Sequence, residues 1–93
     1  SITIEADKKD VQMNLMNPEG NPCYFTFEIV LNDTDETIYT SKMVEPGKAI
    51  TEVTLEKALA TGEYPATIKI TTASLTDGSA MNGANVETTI IAQ

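Results

Sequence analysis

The sequence predicts an all-β fold in which about seven short strands form a sandwich of two sheets. Three observations lead to this class. Apolar residues recur at every second position in several runs. Clusters of turn-forming residues separate these runs at intervals of roughly eight to twelve residues. Threonine, whose β-branched side chain suits a strand, occurs 14 times. The length of 93 residues fits one domain covering residues 1–93.

Three runs alternate clearly enough to predict strands with one dry and one wet face. They cover residues 11–16, 24–31 and 64–70. The residues expected on the dry faces are Val11, Met13, Leu15, Phe25, Phe27, Ile29, Leu31, Tyr64, Ala66, Ile68 and Ile70. A slip by one residue would bury Glu28 in place of Phe27, and an unpaired buried carboxylate is costly.

Four weaker runs complete the predicted set of strands. They lie at 2–5, 37–41, 49–55 and 85–92. In the third of these runs the apolar positions Ile50, Val53 and Leu55 change parity once, which predicts a β-bulge or a bend.

Turn-forming residues occupy the gaps between the runs. They lie at 17–22 (NPEGNP), 32–36 (NDTDE), 45–47 (EPG) and 77–83 (DGSAMNG), and the last is predicted to be the longest flexible stretch. Pro46 followed by Gly47 is the order that a type II turn requires. Only residues 55–60 (LEKALA) have a helical pattern, and so short a segment forms at most about two turns.

The stretch 59–70, LATGEYPATIKI, predicts how one corner of the sandwich is built. Immunoglobulin-like sandwiches place a tyrosine near the start of a late strand, where its hydroxyl bonds the backbone a few residues upstream. Tyr64 has such a position, with Leu59 expected in the core and Gly62 in a conformation that other residues resist. An ordinary core tyrosine after a glycine turn is the alternative. The first interpretation makes the chain a single immunoglobulin-like antiparallel β-sandwich of about seven strands, in which Tyr64 is architectural.

Five short motifs occur in a recognisable order. They are NP..N (Asn17, Pro18, Asn21), IY.S (Ile38, Tyr39, Ser41), EPG (45–47), L..GEY.A (Leu59, Gly62, Glu63, Tyr64, Ala66) and NG (Asn82, Gly83). Together they resemble a group of small immunoglobulin-like domains of exported or cell-surface proteins of Gram-positive bacteria. The resemblance spans residues 11–92 and implies a compact sandwich on the cell surface, attached to something larger. It carries over no catalytic residue, and Cys23 lies outside the pattern.

Charge and hydropathy exclude several classes of partner. The net charge is −8, from 14 acidic residues against 6 lysines, and there is no arginine. Nucleic acids are bound through clustered cations, so we expect no nucleic-acid partner. No window approaches the roughly 18 apolar residues of a membrane span, so we expect no direct membrane insertion by this fragment. The chain starts at Ser1 rather than methionine, which predicts a processed piece whose signal or anchor is not in this chain.

The residue types needed for catalysis are scarce. Histidine is absent, which removes the commonest general base and the imidazole metal ligand. Cys23 is the single cysteine, so it has no histidine to activate it and no second cysteine for a disulfide or a zinc site. The glycine loops that cradle phosphates are also missing. We therefore expect no enzyme, no catalytic residue, no cofactor and no metal site.

Acidic loops leave one alternative open. Asp33, Asp35 and Glu36 follow Asn32 in a predicted loop, and oxygen-rich loops can bind calcium, although acids are also common turn residues. The group Asp77, Asn82 and Asn85 is a weaker version of the same pattern. Tyr24 and Tyr39 leave room for a carbohydrate-binding surface, although the chain has no tryptophan.

The expected function is a non-catalytic structural or adhesion-type module of a bacterial cell-surface or secreted protein. Its partner would be an unidentified protein or cell-surface component, and its location extracellular or at the cell surface. The alternative is a ligand-binding module for carbohydrate or calcium.

Overall fold

Seven strands in two sheets make up the fold. The structure, a computed structural model, describes the backbone of residues 1–93 and every side chain except those of residues 81 and 82. The strands are β1 (Ile2–Ile4), β2 (Asp10–Met16), β3 (Cys23–Leu31), β4 (Glu36–Thr40), β5 (Ala49–Thr54), β6 (Gly62–Ser74) and β7 (Ala80–Ala92). The larger sheet has the order β1-β7-β6-β3-β4, and the smaller sheet pairs β2 with β5. The residues that the structure describes contain no helix.

The two sheets share one hydrophobic core, since strands of both contribute to a single buried cluster. Along β2 burial alternates strictly, with the apolar residues predicted on its dry face buried and the residues between them exposed. On β3, Phe27 and Ile29 are 3% and 0% exposed, while Phe25 is half-buried. The rings of Phe25 and Phe27 meet edge to face at 5.8 Å. The predicted register of β3 is thus confirmed.

One pair of strands is parallel, which corrects the expectation of a purely antiparallel sandwich. β1 runs in the same direction as β7, from Ile2 opposite Ile90 to Ile4 opposite Ala92. The pairing continues past the strands, because the N–H of Gln93 donates to the carbonyl of Ile4 at 3.1 Å. β1 and β7 are the first and last strands, so no tight turn joins them and no hairpin imposes the antiparallel direction.

Residues 55–60 form no helix, despite their pattern. Leu55 and Leu59 are 1% and 3% exposed and belong to the core cluster. Instead of helical hydrogen bonds, the N–H of Leu55 donates to Lys9 and the N–H of Glu56 donates to Ile38, each at 2.8 Å. The two leucines therefore belong to a non-helical segment that links β5 to β6. The backbone of this segment forms hydrogen bonds with other parts of the chain.

The hairpin of β6 and β7 is longer than predicted. The stretch 77–83 was expected to be flexible, but β7 already begins at Ala80, which pairs with Ala73. Small residues carry no period-two signal, so the pattern could not reveal this part of the strand. The register shifts between Ile70 and Thr72, and a Cβ on Gly83 would collide with the carbonyl oxygen of Ile70. Glycine therefore permits the close approach of the two backbones here.

The irregularity predicted in 49–55 is present in the pair of β2 and β5, but the extra residue lies on β2. Between Gln12 and Leu15, β2 advances one residue further than β5 does between Glu52 and Ile50. Because of this bulge, Val11 and Leu15 of β2 lie opposite Val53 and Ile50 of β5, although the apolar positions of β5 change parity.

The predicted tyrosine corner is present at the start of β6. The hydroxyl of Tyr64 donates to the carbonyl of Ala60 at 2.6 Å, and the half-buried ring packs against the core cluster. Gly62 has φ of +158°, a backbone region that side chains disfavour. The corner thus combines a hydroxyl bond with a glycine that the backbone requires.

Tyr64→Phe is expected to lower the free energy of unfolding by about 0.5–1.5 kcal/mol, because it removes one hydrogen bond whose carbonyl partner water can reach. Gly62→Ala is expected to cost about 1–3 kcal/mol through backbone strain. Tyr24→Phe is the control and should change stability by less than about 0.5 kcal/mol. Urea unfolding of the three variants measures these values. A neutral Tyr64→Phe beside a severe Tyr24→Phe would contradict the role given to the corner.

Candidate functional site

One buried asparagine organises an entire end of the molecule. Asn17 follows β2 and is 0% exposed. Its amide nitrogen donates to the carbonyls of Cys23 at 3.0 Å and Val44 at 2.8 Å, and its amide oxygen accepts from the side chain of Asn21 at 2.8 Å. A buried amide needs such partners, because an unbonded polar group in the interior costs several kcal/mol.

The backbone of Asn17 joins the same assembly. Its N–H donates to Lys48 at 3.0 Å, and its carbonyl accepts from Gly47 at 2.8 Å. Gly47 has φ of +82°, and the N–H of Lys48 donates to Glu45 at 3.1 Å, which confirms the type II turn predicted for EPG. Asn17 therefore connects the loop before β3 to the loop before β5.

These loops and the β6–β7 turn lie at one end of the fold, here called the loop end (residues 17–22, 41–48 and 75–79). The turn joins it through the N–H of Leu75, which donates to Pro22 at 3.5 Å. Leu75 is 43% exposed, and Met16 and Met43, which flank Asn17 and Val44, are 54% and 59% exposed. Exposed apolar side chains at one end of a rigid scaffold offer a surface that can contact another molecule.

Ser41 keeps the chain attached to β3 after β4 ends. Its hydroxyl accepts from the N–H of Phe27 at 2.8 Å, and its own N–H donates to the carbonyl of Phe27 at 2.8 Å. Val44 and Phe25 then exchange two backbone bonds, at 2.7 and 3.0 Å. The serine of the IY.S motif thus has an architectural role.

The acidic loop at 32–36 lies at the opposite end, and its side chains do not converge. Glu36 pairs with Lys57 at 2.7 Å, and the amide oxygen of Asn32 accepts from Thr67 at 2.7 Å. Asp33 and Asp35 are exposed. Among the side chains that the structure describes, no group of three or more His, Cys, Asp or Glu could hold a metal ion.

The two described members of the weaker group, Asp77 and Asn85, have separate places in the fold. Asp77 accepts from the N–H and the hydroxyl of Ser79 at 3.0 and 2.7 Å, and the bond from the Ser79 N–H is the main cause that lowers the pKa of Asp77. Asn85 lies opposite Lys69 in the middle of the β6–β7 ladder. Asn82 lies outside the described side chains. Asp77 therefore stabilises the turn in which it lies.

Cys23 and the unassigned tyrosines are only partly accessible. Cys23 is free, as the absence of a second cysteine predicts, and it is buried. Tyr24 and Tyr39 are both half-buried, and Tyr39 packs against the core cluster. Burial raises the pKa of the Tyr39 hydroxyl.

Sequence reasoning missed Asn17, which was treated as a turn former. The available signal is parity: residues 11, 13 and 15 are buried, and residue 17 continues the same face. An asparagine at the next inward position of an alternating strand has to find hydrogen-bond partners inside the fold.

No family model matches the chain, and no curated protein or solved structure matches it either. No helix among the described residues is long and apolar enough to cross a membrane.

The raised pKa of Tyr39 predicts an alkaline loss of stability. The folded chain holds the phenolic proton of Tyr39 more tightly than the unfolded chain does. The resulting contribution to the free energy of unfolding is therefore fully present below the ordinary tyrosine pKa of about 10. It is lost as the pH rises through the raised folded value. The tyrosinate absorbance of wild type minus that of Tyr39→Phe should have a higher midpoint in buffer than in concentrated urea. An equal or lower midpoint in buffer would contradict the burial of this hydroxyl.

Proposed function

We propose that the chain is a non-catalytic structural or adhesion-type module of a bacterial cell-surface or secreted protein, with an immunoglobulin-like fold. The strand order supports the fold assignment. β7-β6-β3 corresponds to the G-F-C order of immunoglobulin sheets, and the pair of β2 and β5 corresponds to B and E. β4 has the place beside β3 that strand C′ occupies in variable-type domains. The corner at Tyr64 supports the same topology.

The observation that carries the proposal is the parallel pairing of the terminal strands. The chain enters β1 at Ile2 and leaves β7 after Ala92, at opposite ends of this parallel pair. Tension applied at Ser1 and Gln93 therefore shears the pair, so its hydrogen bonds have to break together rather than one after another. Such a geometry suits a module that is held between other parts of a surface protein.

The loop end supports the adhesion part of the proposal. Three exposed apolar side chains lie at or beside the loop end: Met43 and Leu75 on loops that a rigid scaffold positions, and Met16 at the adjoining end of β2. Loops held in this way are common binding surfaces in sandwiches of this kind. The partner would be a protein or another cell-surface component.

Single-molecule stretching tests the structural role. Pulling between residues 1 and 93 should require a higher unfolding force than pulling between residues 7 and 93. Asp7 and Gln93 lie at the same end of the β1–β7 pair, because the N–H of Ala6 donates to Gln93, so the second geometry peels the bonds apart in sequence. Equal forces in the two geometries would contradict the structural role.

Protease treatment of intact bacteria that carry the natural protein tests the location. The domain should be released or cleaved before the cells are lysed. Protection until lysis, together with a complete coding sequence that has neither a signal peptide nor an anchor, would overturn the assignment to the cell surface.

A further inference from the structure

The outer edge of β7 is open over most of its length. β7 extends over Ala80–Ala92 and pairs with β6 along one side. Along its other side, β7 pairs with β1 among the described strands, and this pairing covers only Ile90–Ala92. The backbone of residues 83–89 therefore offers N–H and C=O groups to a further strand.

Val86 shows that the core face is also uncovered beside this edge. Ile90 and Ala92 have the same parity as Val86 and are 0% and 1% exposed, whereas Val86 is 46% exposed. The residue opposite Val86 on β6 is Ile68, which is 8% exposed and belongs to the core cluster. The inward face of β7 thus loses its cover where β1 ends.

The second sheet has an open edge on the same side of the molecule. β2 pairs with β5 on one side, and it also contacts β1. A groove of about 440 Å³ separates β1 from β2, and Ile4, Val11 and Gln12 contribute to its walls. A strand that continues the line of β1 beyond Ser1 would lie along residues 83–89 and cover Val86.

Charge indicates the chemistry of that strand. Glu87 is exposed on the open edge of β7 itself, whereas Glu5 and Asp10 line the groove at the end of β1 that lies beside Gln93, away from residues 83–89. The chain as a whole carries −8. A second copy of this chain would bring the same negative charge to the edge, whereas a basic segment would complement it.

We propose that the open edge of β7 at residues 83–89 binds an extended basic segment of another protein, which adds as a strand beside β1. Backbone hydrogen bonds to β7 provide affinity, as in other cases of strand addition. Alternate apolar side chains of the segment cover Val86, and its lysines or arginines meet Glu87 and the net negative charge of the chain. This surface is separate from the loop end and does not depend on the function proposed above.

The test uses the peptide Lys-Val-Thr-Val-Lys-Val-Thr and, as a control, its counterpart with glutamate in place of lysine. Amide hydrogen exchange of the whole chain is measured with and without each peptide. The basic peptide should slow exchange in residues 83–89 and leave the open edge of β4 unchanged. The acidic peptide should have no effect at the same concentration.

Val86→Lys and Leu75→Lys form a matched pair of variants, because the two residues are 46% and 43% exposed and the charge change is the same. Val86→Lys should weaken peptide binding at least about tenfold, since it places a cation where an apolar side chain is to be covered. Leu75→Lys should bind as the wild type does. Urea unfolding verifies that both variants are folded, and if Val86→Lys is not, Val86→Thr replaces it with the same expected direction.

Three results would overturn the proposal. They are no slowing at 83–89, equal binding of the two peptides, and slowing that appears at β4 or β5 instead. Sedimentation that shows a dimer paired through residues 83–89 without peptide would assign this edge to a second copy and would also reject the basic segment.

Discussion

The arrangement of the loop end depends on one constraint: the amide of Asn17 is fully buried and must be bonded within the protein. Its nitrogen holds the carbonyls of Cys23 and Val44, at the start of β3 and in the connection between β4 and β5. Its backbone holds the EPG turn through Gly47. Because the small sheet consists of two strands only, connections of this kind are needed to keep it in place over the larger sheet. The hydrogen bonds that satisfy the buried amide are therefore also the ones that position the loops.

Each of the five short motifs contributes at least one residue with an architectural role. Asn17 and Asn21 bond each other, Ser41 bonds Phe27, and Tyr64 bonds Ala60. Gly83 permits a close approach of two backbones. Residues with such roles preserve a fold while the exposed loops are free to differ. The proposal of a structural or adhesion-type module is consistent with this division, since it assigns contact with partners to exposed apolar side chains rather than to the motifs.

The strands with one dry face could be predicted, because burial of Phe27 and Ile29 imposes a period of two that the sequence displays directly. The hydroxyl bond of Tyr64 could also be predicted, since immunoglobulin-like sandwiches place a tyrosine near the start of a late strand, where it bonds the backbone upstream. The early start of β7 could not, because alanine, glycine and asparagine carry no periodic signal. The parallel direction of β1 could not either, because it depends on contacts between the two ends of the chain. Leu55 and Leu59 have the spacing of a helical pattern because a segment that links two sheets can also bury residues four apart. For the candidate site, residues 17–22 were predicted only as a turn. Parity was an available signal for the inward position of Asn17, but its partners on β3 and in residues 41–48 required the structure.

The most direct test of this account compares Asn17→Asp with Asn14→Asp in urea unfolding. The two substitutions make the same chemical change and add the same charge, but Asn14 is exposed on β2. Asn17→Asp removes both donors to the carbonyls of Cys23 and Val44 and buries a carboxylate beside them. We expect a loss of about 2–4 kcal/mol for Asn17→Asp and of less than about 0.5 kcal/mol for Asn14→Asp. Equal, small losses for the two variants would contradict the claim that the buried amide holds the loop end together.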